Sequence, residues 1–173
     1  ELIDDNNKPI LDTLQINIPS INVKLKKLLP PKFIFFQFKY NFFNDLGWNK
    51  FHINSFFNLI LTKYEYVLFC SDKEINNKYK YLVDFFVNEY SCIDIMKYQM
   101  IHTRSRNIIY LKNLDSENLF NIIRLSTLNI GPHGIITHMS DFCNTPSYNL
   151  FNFKISNNRD YHHQKISYSE WYK

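Results

Sequence analysis

Four short runs, Lys32–Phe38, Tyr66–Cys70, Ile108–Leu111 and Leu128–Ile130, are almost continuously apolar, and the segments between them carry apolar residues at helical spacing. A run that short with no polar alternation suits a strand covered on both faces. Phe51, Phe56, Phe57, Leu59, Ile60 and Leu61 can gather on one side of a helix after the first run, and Tyr79, Leu82, Val83, Phe86 and Val87 after the second. Leu119, Ile122, Ile123 and Leu125 follow the third run, behind Asp115-Ser116 as a cap. Strand and helix in alternation pair in parallel through right-handed crossovers, so the predicted fold is α/β, a doubly wound, mostly parallel, Rossmann-like sheet. A helix from about Gly134 and a strand over Tyr148–Phe153 complete the pattern, while residues 91–106 show no clear period. Residues 1–31, closed by Pro30-Pro31, read as a lead-in or linker, residues 32–156 as the sheet domain and residues 157–173 as a tail.

A chain of 173 residues is long enough for one domain with a real core and too short for two large ones. Its formal charge of +4 is modest, and outside Lys24-Leu25-Lys26-Lys27 the lysines are scattered among acids, so no nucleic acid is required as a partner. The chain has no alanine, and lysine far outnumbers arginine, as an AT-rich genome would write. Its 17% aromatic content is therefore no argument for base stacking. Cys70, Cys92 and Cys143 have no metal-like spacing, and their odd number does not fit a closed disulfide framework. With no apolar run near the roughly 18–20 residues of a membrane span, a cytoplasmic setting is expected, with peripheral membrane contact left open.

Gly131-Pro132-His133-Gly134 holds two of the three glycines and directly follows the fourth apolar run. It is either a tight turn that needs positive φ or a strand-to-helix junction whose free N–H groups and helix dipole hold an anion. Ligands of open α/β sheets lie beyond the carboxyl ends of the strands. Three segments are expected to converge there: Lys39 to Asn49, Lys112 to Ser116, and Gly131 to His138. Thr137 can offer its hydroxyl to the anion or bond back within its own helix. His133 can donate to a phosphate oxygen, and an anion beside it would raise its pKa. Lys39 either overhangs the crevice or is simply solvated. As a metal pair His133 and His138 are poorly spaced, because five residues put two side chains on different helical faces, and no metal is expected. Gly-x-Ser-x-Gly, Gly-x-x-x-x-Gly-Lys-Ser/Thr and an early Gly-x-Gly-x-x-Gly are all absent. Their absence excludes the serine-hydrolase elbow, the nucleoside-triphosphatase loop and the usual dinucleotide fingerprint.

The run Leu128-Asn129-Ile130-Gly131-Pro132-His133-Gly134-Ile135-Ile136-Thr137-His138-Met139, with Pro146 and an apolar strand after it, resembles the nucleotide-sugar-binding half of GT-B glycosyltransferases. It is most similar to family 61, whose pattern is Gly-x-His-Gly-Ala-x-Leu-Thr-His/Asn ahead of an apolar strand. Ile135 and Ile136 stand where that pattern has small residues, and Asn149 stands near a position where many relatives have an acid. A weaker likeness to heptosyltransferases runs through Trp48-Asn49-Lys50-Phe51.

The resemblance implies a donor-binding domain over residues 32–156 and a diphosphate seated on the turn. Lys39, Gly131, His133, Gly134, Ile135, Thr137 and His138 would surround the diphosphate, with His133 as the catalytic side chain, and Lys112 and Asn113 would reach the donor base. It also implies transfer of a sugar from a nucleotide-sugar to a glycan or lipid-linked acceptor, without a metal or other cofactor, with the acceptor domain supplied from outside this chain. The alternative is a non-enzymatic nucleotide- or phosphate-binding module of the same fold.

Overall fold

β1 (Ile34–Phe38) is buried along its whole length, and its alternate residues feed two separate cores. The computed structural model describes residues 20–72, 80–105 and 107–151. In chain order these form α1 (Val23–Leu28), β1, α2 (Tyr40–Asp45), α3 (Lys50–Leu61), β2 (Val67–Ser71), α4 (Lys80–Glu89) and β3 (Ser91–Asp94). There follow β4 (Gln99–His102), β5 (Ile108–Lys112), α5 (Ser116–Leu125), β6 (Leu128–Pro132), α6 (Ile135–Phe142) and β7 (Ser147–Leu150). The fold is α/β, as the alternation predicts, with one seven-stranded sheet in the order β4-β3-β5-β2-β1-β6-β7. Every neighbouring pair is parallel except β3 with β4, which is antiparallel.

Ile34, Phe36 and Phe38 pack with Phe43 of α2, Ile53 and Phe57 of α3 and Phe86 of α4. Phe35 packs on the other face with Leu25 of α1, Ile122 and Ile123 of α5 and Ile136 of α6. Side chains leaving a strand alternately to either side produce this division. The first core is largely aromatic: the Phe36 and Phe57 rings meet edge-on with centroids 5.6 Å apart, and Phe38 stacks on Phe43 at 4.7 Å. These rings are spent on packing.

Several boundaries differ from the sequence reading. Part of the segment read as a lead-in is packed: Asn22 caps α1 through the Lys24 and Leu25 amides, and Leu25 is fully buried. The unpatterned stretch 91–106 holds the β3–β4 hairpin, and the loop expected after β1 contains α2. The last strand is Ser147–Leu150 rather than Tyr148–Phe153, and Phe151 lies beyond it. Tyr79, Arg106, residues 152–153 and the tail 157–173 lie outside the described residues. Among the described residues no helix is long and apolar enough to cross a membrane.

The strand order positions the site. From β1 the chain moves to β2 on one side, whereas from β6, on the other side of β1, it moves away to β7. Adjacent strands whose connections leave in opposite directions open a crevice at their carboxyl ends. Here those ends are Phe38-Lys39 and Pro132-His133-Gly134.

Candidate anion site

Gly134 has φ 150° and ψ −141°, a conformation closed to residues with a Cβ, and it lets the chain turn from β6 directly into α6. His133 N still donates to Leu150 O at 3.2 Å, so the β6–β7 ladder continues to the turn. Thr137 N and His138 N donate to Gly134 O at 3.0 and 3.4 Å. Among the described residues nothing accepts from the amides of Ile135 and Ile136, which leaves two donors at the positive end of the helix.

Lys39 supplies the charge. Its Nζ lies 2.9 Å from the point where a Cβ on Gly134 would stand, so the ammonium rests on the bare glycine at the helix start. Its backbone is fixed from β2, because Asp72 Oδ1 accepts from Tyr40 N at 2.9 Å and Asp72 N donates to Phe38 O at 3.2 Å. Gly131 lets β6 lie close to β1: a Cβ there would meet Gln37 Cβ at 3.3 Å.

Behind the turn, a buried polar chain holds α6 in place. Ser126 Oγ donates to Asn129 Oδ1 at 2.8 Å, Asn129 Nδ2 donates to Ser140 Oγ at 3.0 Å, and Ser140 Oγ donates to Ile136 O at 2.6 Å. Asn129 and Ser140 are wholly buried, so the register of α6 on β6 is set by groups that have no water to fall back on.

The expected site residues divide into three groups. Lys39, Gly131, His133, Gly134, Ile135 and His138 meet at the crevice, with Ile135 and His138 exposed on its rim. Of the two roles foreseen for Thr137, bonding to the backbone of its own helix is the one seen, at the N-cap. Its hydroxyl is buried and donates to Asn149 Oδ1 of β7 at 2.6 Å, while Gly134 N approaches the same oxygen at 3.4 Å, so it braces the turn from within. Lys112 and Asn113 do not converge on the turn. β2 and β1 separate β5 from β6, an offset of about 14 Å at the usual strand spacing. Asn113 instead donates to Asp94 Oδ1 of β3 at 3.2 Å.

His133 and His138 also depart from the helical-face argument. Their ring centroids are 5.9 Å apart, because His133 precedes the helix and does not follow its periodicity. The half-buried His133 ring stacks on Phe151 at 5.5 Å, and its Nδ1 lies 3.4 Å from Thr137 Oγ1. Its pKa is lowered, first by burial and then by His138 and Lys39, against an opposing pull from Asp141. In the free protein the ring is therefore neutral near pH 7 rather than drawn toward the charged form. Among the described residues no group of three His, Cys, Asp or Glu side chains could hold a metal.

One crevice residue went unnoticed in the sequence. Gln37 lies on β1 beside Gly131 and two residues before Lys39, 8% exposed, and its Oε1 has no hydrogen-bond partner among the described residues. The signal was the single polar residue inside an otherwise apolar strand. No protein-family model, curated protein or solved structure matches this chain.

Proposed function

We propose that the domain binds a nucleoside diphosphate, as its sugar ester, across the β1/β6 crevice, and that it is the donor-binding half of a doubly wound, GT-B type glycosyltransferase. The observation that carries this reading is the Lys39 ammonium set over Gly134, beside the unengaged amides of Ile135 and Ile136. Charge, helix dipole and backbone donors then act on one volume, the combination that favours a phosphate group. The orphaned Gln37 Oε1 narrows the ligand. A fully ionised phosphate oxygen offers it nothing, whereas a phosphate ester with a sugar hydroxyl nearby supplies the missing donor.

The chemistry follows from where charge develops. An acceptor hydroxyl oxygen attacks the anomeric carbon, the bond from that carbon to the diphosphate oxygen breaks, and its electron pair leaves with the diphosphate. Lys39 and the α6 amides meet the growing negative charge without reorganising. Binding draws His133 toward the protonated form, whose second ring N–H meets the same oxygens. The hydroxyl proton goes to a base on the acceptor-binding half.

Calorimetric titration with inorganic pyrophosphate, nucleoside diphosphates and their sugars tests this reading. Lys39→Met should weaken pyrophosphate binding about tenfold or more, the scale of one charge-assisted hydrogen bond, with the melting temperature of the free protein unchanged. Absence of saturable heat with any nucleoside diphosphate, or equal binding by Lys39→Met, overturns it. Sugar transfer that survives His133→Ala undiminished would remove His133 from the chemistry, and sugar-nucleotide binding without any transfer would leave a binding module in its place.

A further inference from the structure

A second concave feature opens at the carboxyl edge of the sheet, on the opposite face from the Lys39–Gly134 crevice. It encloses about 170 Å³ beneath α2, α3 and α4. Phe38, Ile53 and Leu82 form an apolar floor, Trp48 is one wall, and Tyr40, Asn44, Lys50 and Tyr81 supply polar atoms. Lys39 and Tyr40 are consecutive, and their side chains go to the two different faces.

Size limits the occupant first. An apolar cavity of about 150 Å³ is enough for benzene, so this one has room for a six-membered ring. Trp48 is anchored for such a role, its ring 4.5 Å from Phe43 and 5.3 Å from Phe56 between centroids. Tyr81, 58% exposed, offers a further aromatic surface at the mouth.

Polar atoms limit it further. Tyr40 Oη donates to Asn44 Oδ1 at 3.3 Å and lies 3.2 Å from Tyr81 Oη. With Tyr81 donating to Tyr40 and Tyr40 to Asn44, both hydroxyl protons and the amide oxygen are used. The Asn44 NH₂ and the Lys50 ammonium then remain as donors, and the Tyr81 oxygen as acceptor. Lys50 is exposed with its Nζ 4.7 Å from the Phe85 ring centroid, so it can swing to a ligand without breaking an ion pair. Two donors and one acceptor complement a ring edge made of two carbonyls flanking an N–H.

We propose that this pocket binds a pyrimidine-2,4-dione ring, the base of a uridine or thymidine compound. The six-membered ring lies on the Phe38–Ile53–Leu82 floor against Trp48. Its carbonyls take the Asn44 and Lys50 donors, and its N3–H meets Tyr81 Oη. A cytosine ring replaces one carbonyl by an amine and mismatches the rim, and neither adenine nor guanine has an edge of two carbonyls flanking an N–H. The inference goes beyond the anion site and needs no phosphate.

Phosphate-free nucleosides test it independently of that site. In the full chain carrying Trp171→Phe, Trp48 is the only tryptophan. Uridine and thymidine should each give a saturable change in its fluorescence, with cytidine and adenosine at least about tenfold weaker. Asn44→Phe, which fills the mouth from an exposed position, should abolish the uridine response, and Tyr81→Ala should weaken it about tenfold, the loss typical of one aromatic partner. Both variants should melt as the parent does. No saturable response to uridine, equal responses to uridine, cytidine and adenosine, or a uridine response that survives Asn44→Phe overturns the proposal. Pyrophosphate binding without uridine binding would refute the pocket and leave the anion site standing; the reverse would do the opposite.

Discussion

The Lys39 ammonium occupies space that any side chain on Gly134 would enter, since a Cβ there would lie 2.9 Å from Nζ. Gly134→Ala should therefore do two separable things. The φ of 150° is strained for alanine, which should cost about 1–3 kcal/mol of stability, read from the urea midpoint. Displacing the ammonium should also weaken pyrophosphate binding. Lys39→Met combined with Gly134→Ala should show the stability loss unchanged and little additional loss of binding.

His133 couples the site to pH. Its lowered pKa means that the unfolded chain, titrating near 6.5, takes up more protons than the free folded protein. The stability it contributes is present above pH 6.5 and lost as pH falls through the folded value. A bound anion favours the charged ring, so pyrophosphate affinity should rise as pH falls through the same window. His133→Asn should flatten both dependences relative to the parent protein, which separates them from the titration of pyrophosphate itself.

Gln37→Met predicts opposite movements of stability and binding. Removing a buried acceptor that has no partner should raise stability by about 1–2 kcal/mol, because methionine matches the volume and leaves nothing unpaired. The same change should weaken binding of sugar nucleotides more than binding of inorganic pyrophosphate, which has no sugar hydroxyl to offer. Paired urea melts and titrations would check both arms.

Asn129→Leu should lower stability by about 1–3 kcal/mol by removing the link between Ser126 and Ser140 inside the core. The linear slope of the urea transition should stay constant. Because this link sets α6 against β6, pyrophosphate affinity should fall as well, although Asn129 is wholly buried. Asn41→Leu, at an exposed position on α2, should change neither quantity.

The parallel strands were legible because each is buried on both faces and so reads as a nearly continuous apolar run: β1, β2, β5 and β6 all lie where those runs lie. The Asp115 cap was legible too, and its Oδ1 accepts from Asn118 N at 2.8 Å. β3 and β4 were not, because Ser91 and Asp94 are buried only through their neighbours in the sheet, and β4 is a half-exposed edge. α1 was hidden behind Pro30-Pro31, since the burial of Leu25 is a tertiary fact with no local periodicity. At the site, the glycine turn announced itself by composition and Lys39 by its place after an apolar run. Lys112 and Asn113 were misplaced because strand order is not written locally: the chain returns from the hairpin to insert β5 between β2 and β3.

β1 is the first strand and β6 the sixth among the described residues, yet the two pair, with Ile34, Phe35 and Phe36 opposite Leu128, Asn129 and Ile130. If the crevice binds a polyphosphate as proposed, a nascent molecule cannot grip it until that long-range zipper has closed. Titratable pyrophosphate would then serve as a gauge of maturation, separating finished molecules from those that have condensed around the remaining strands alone.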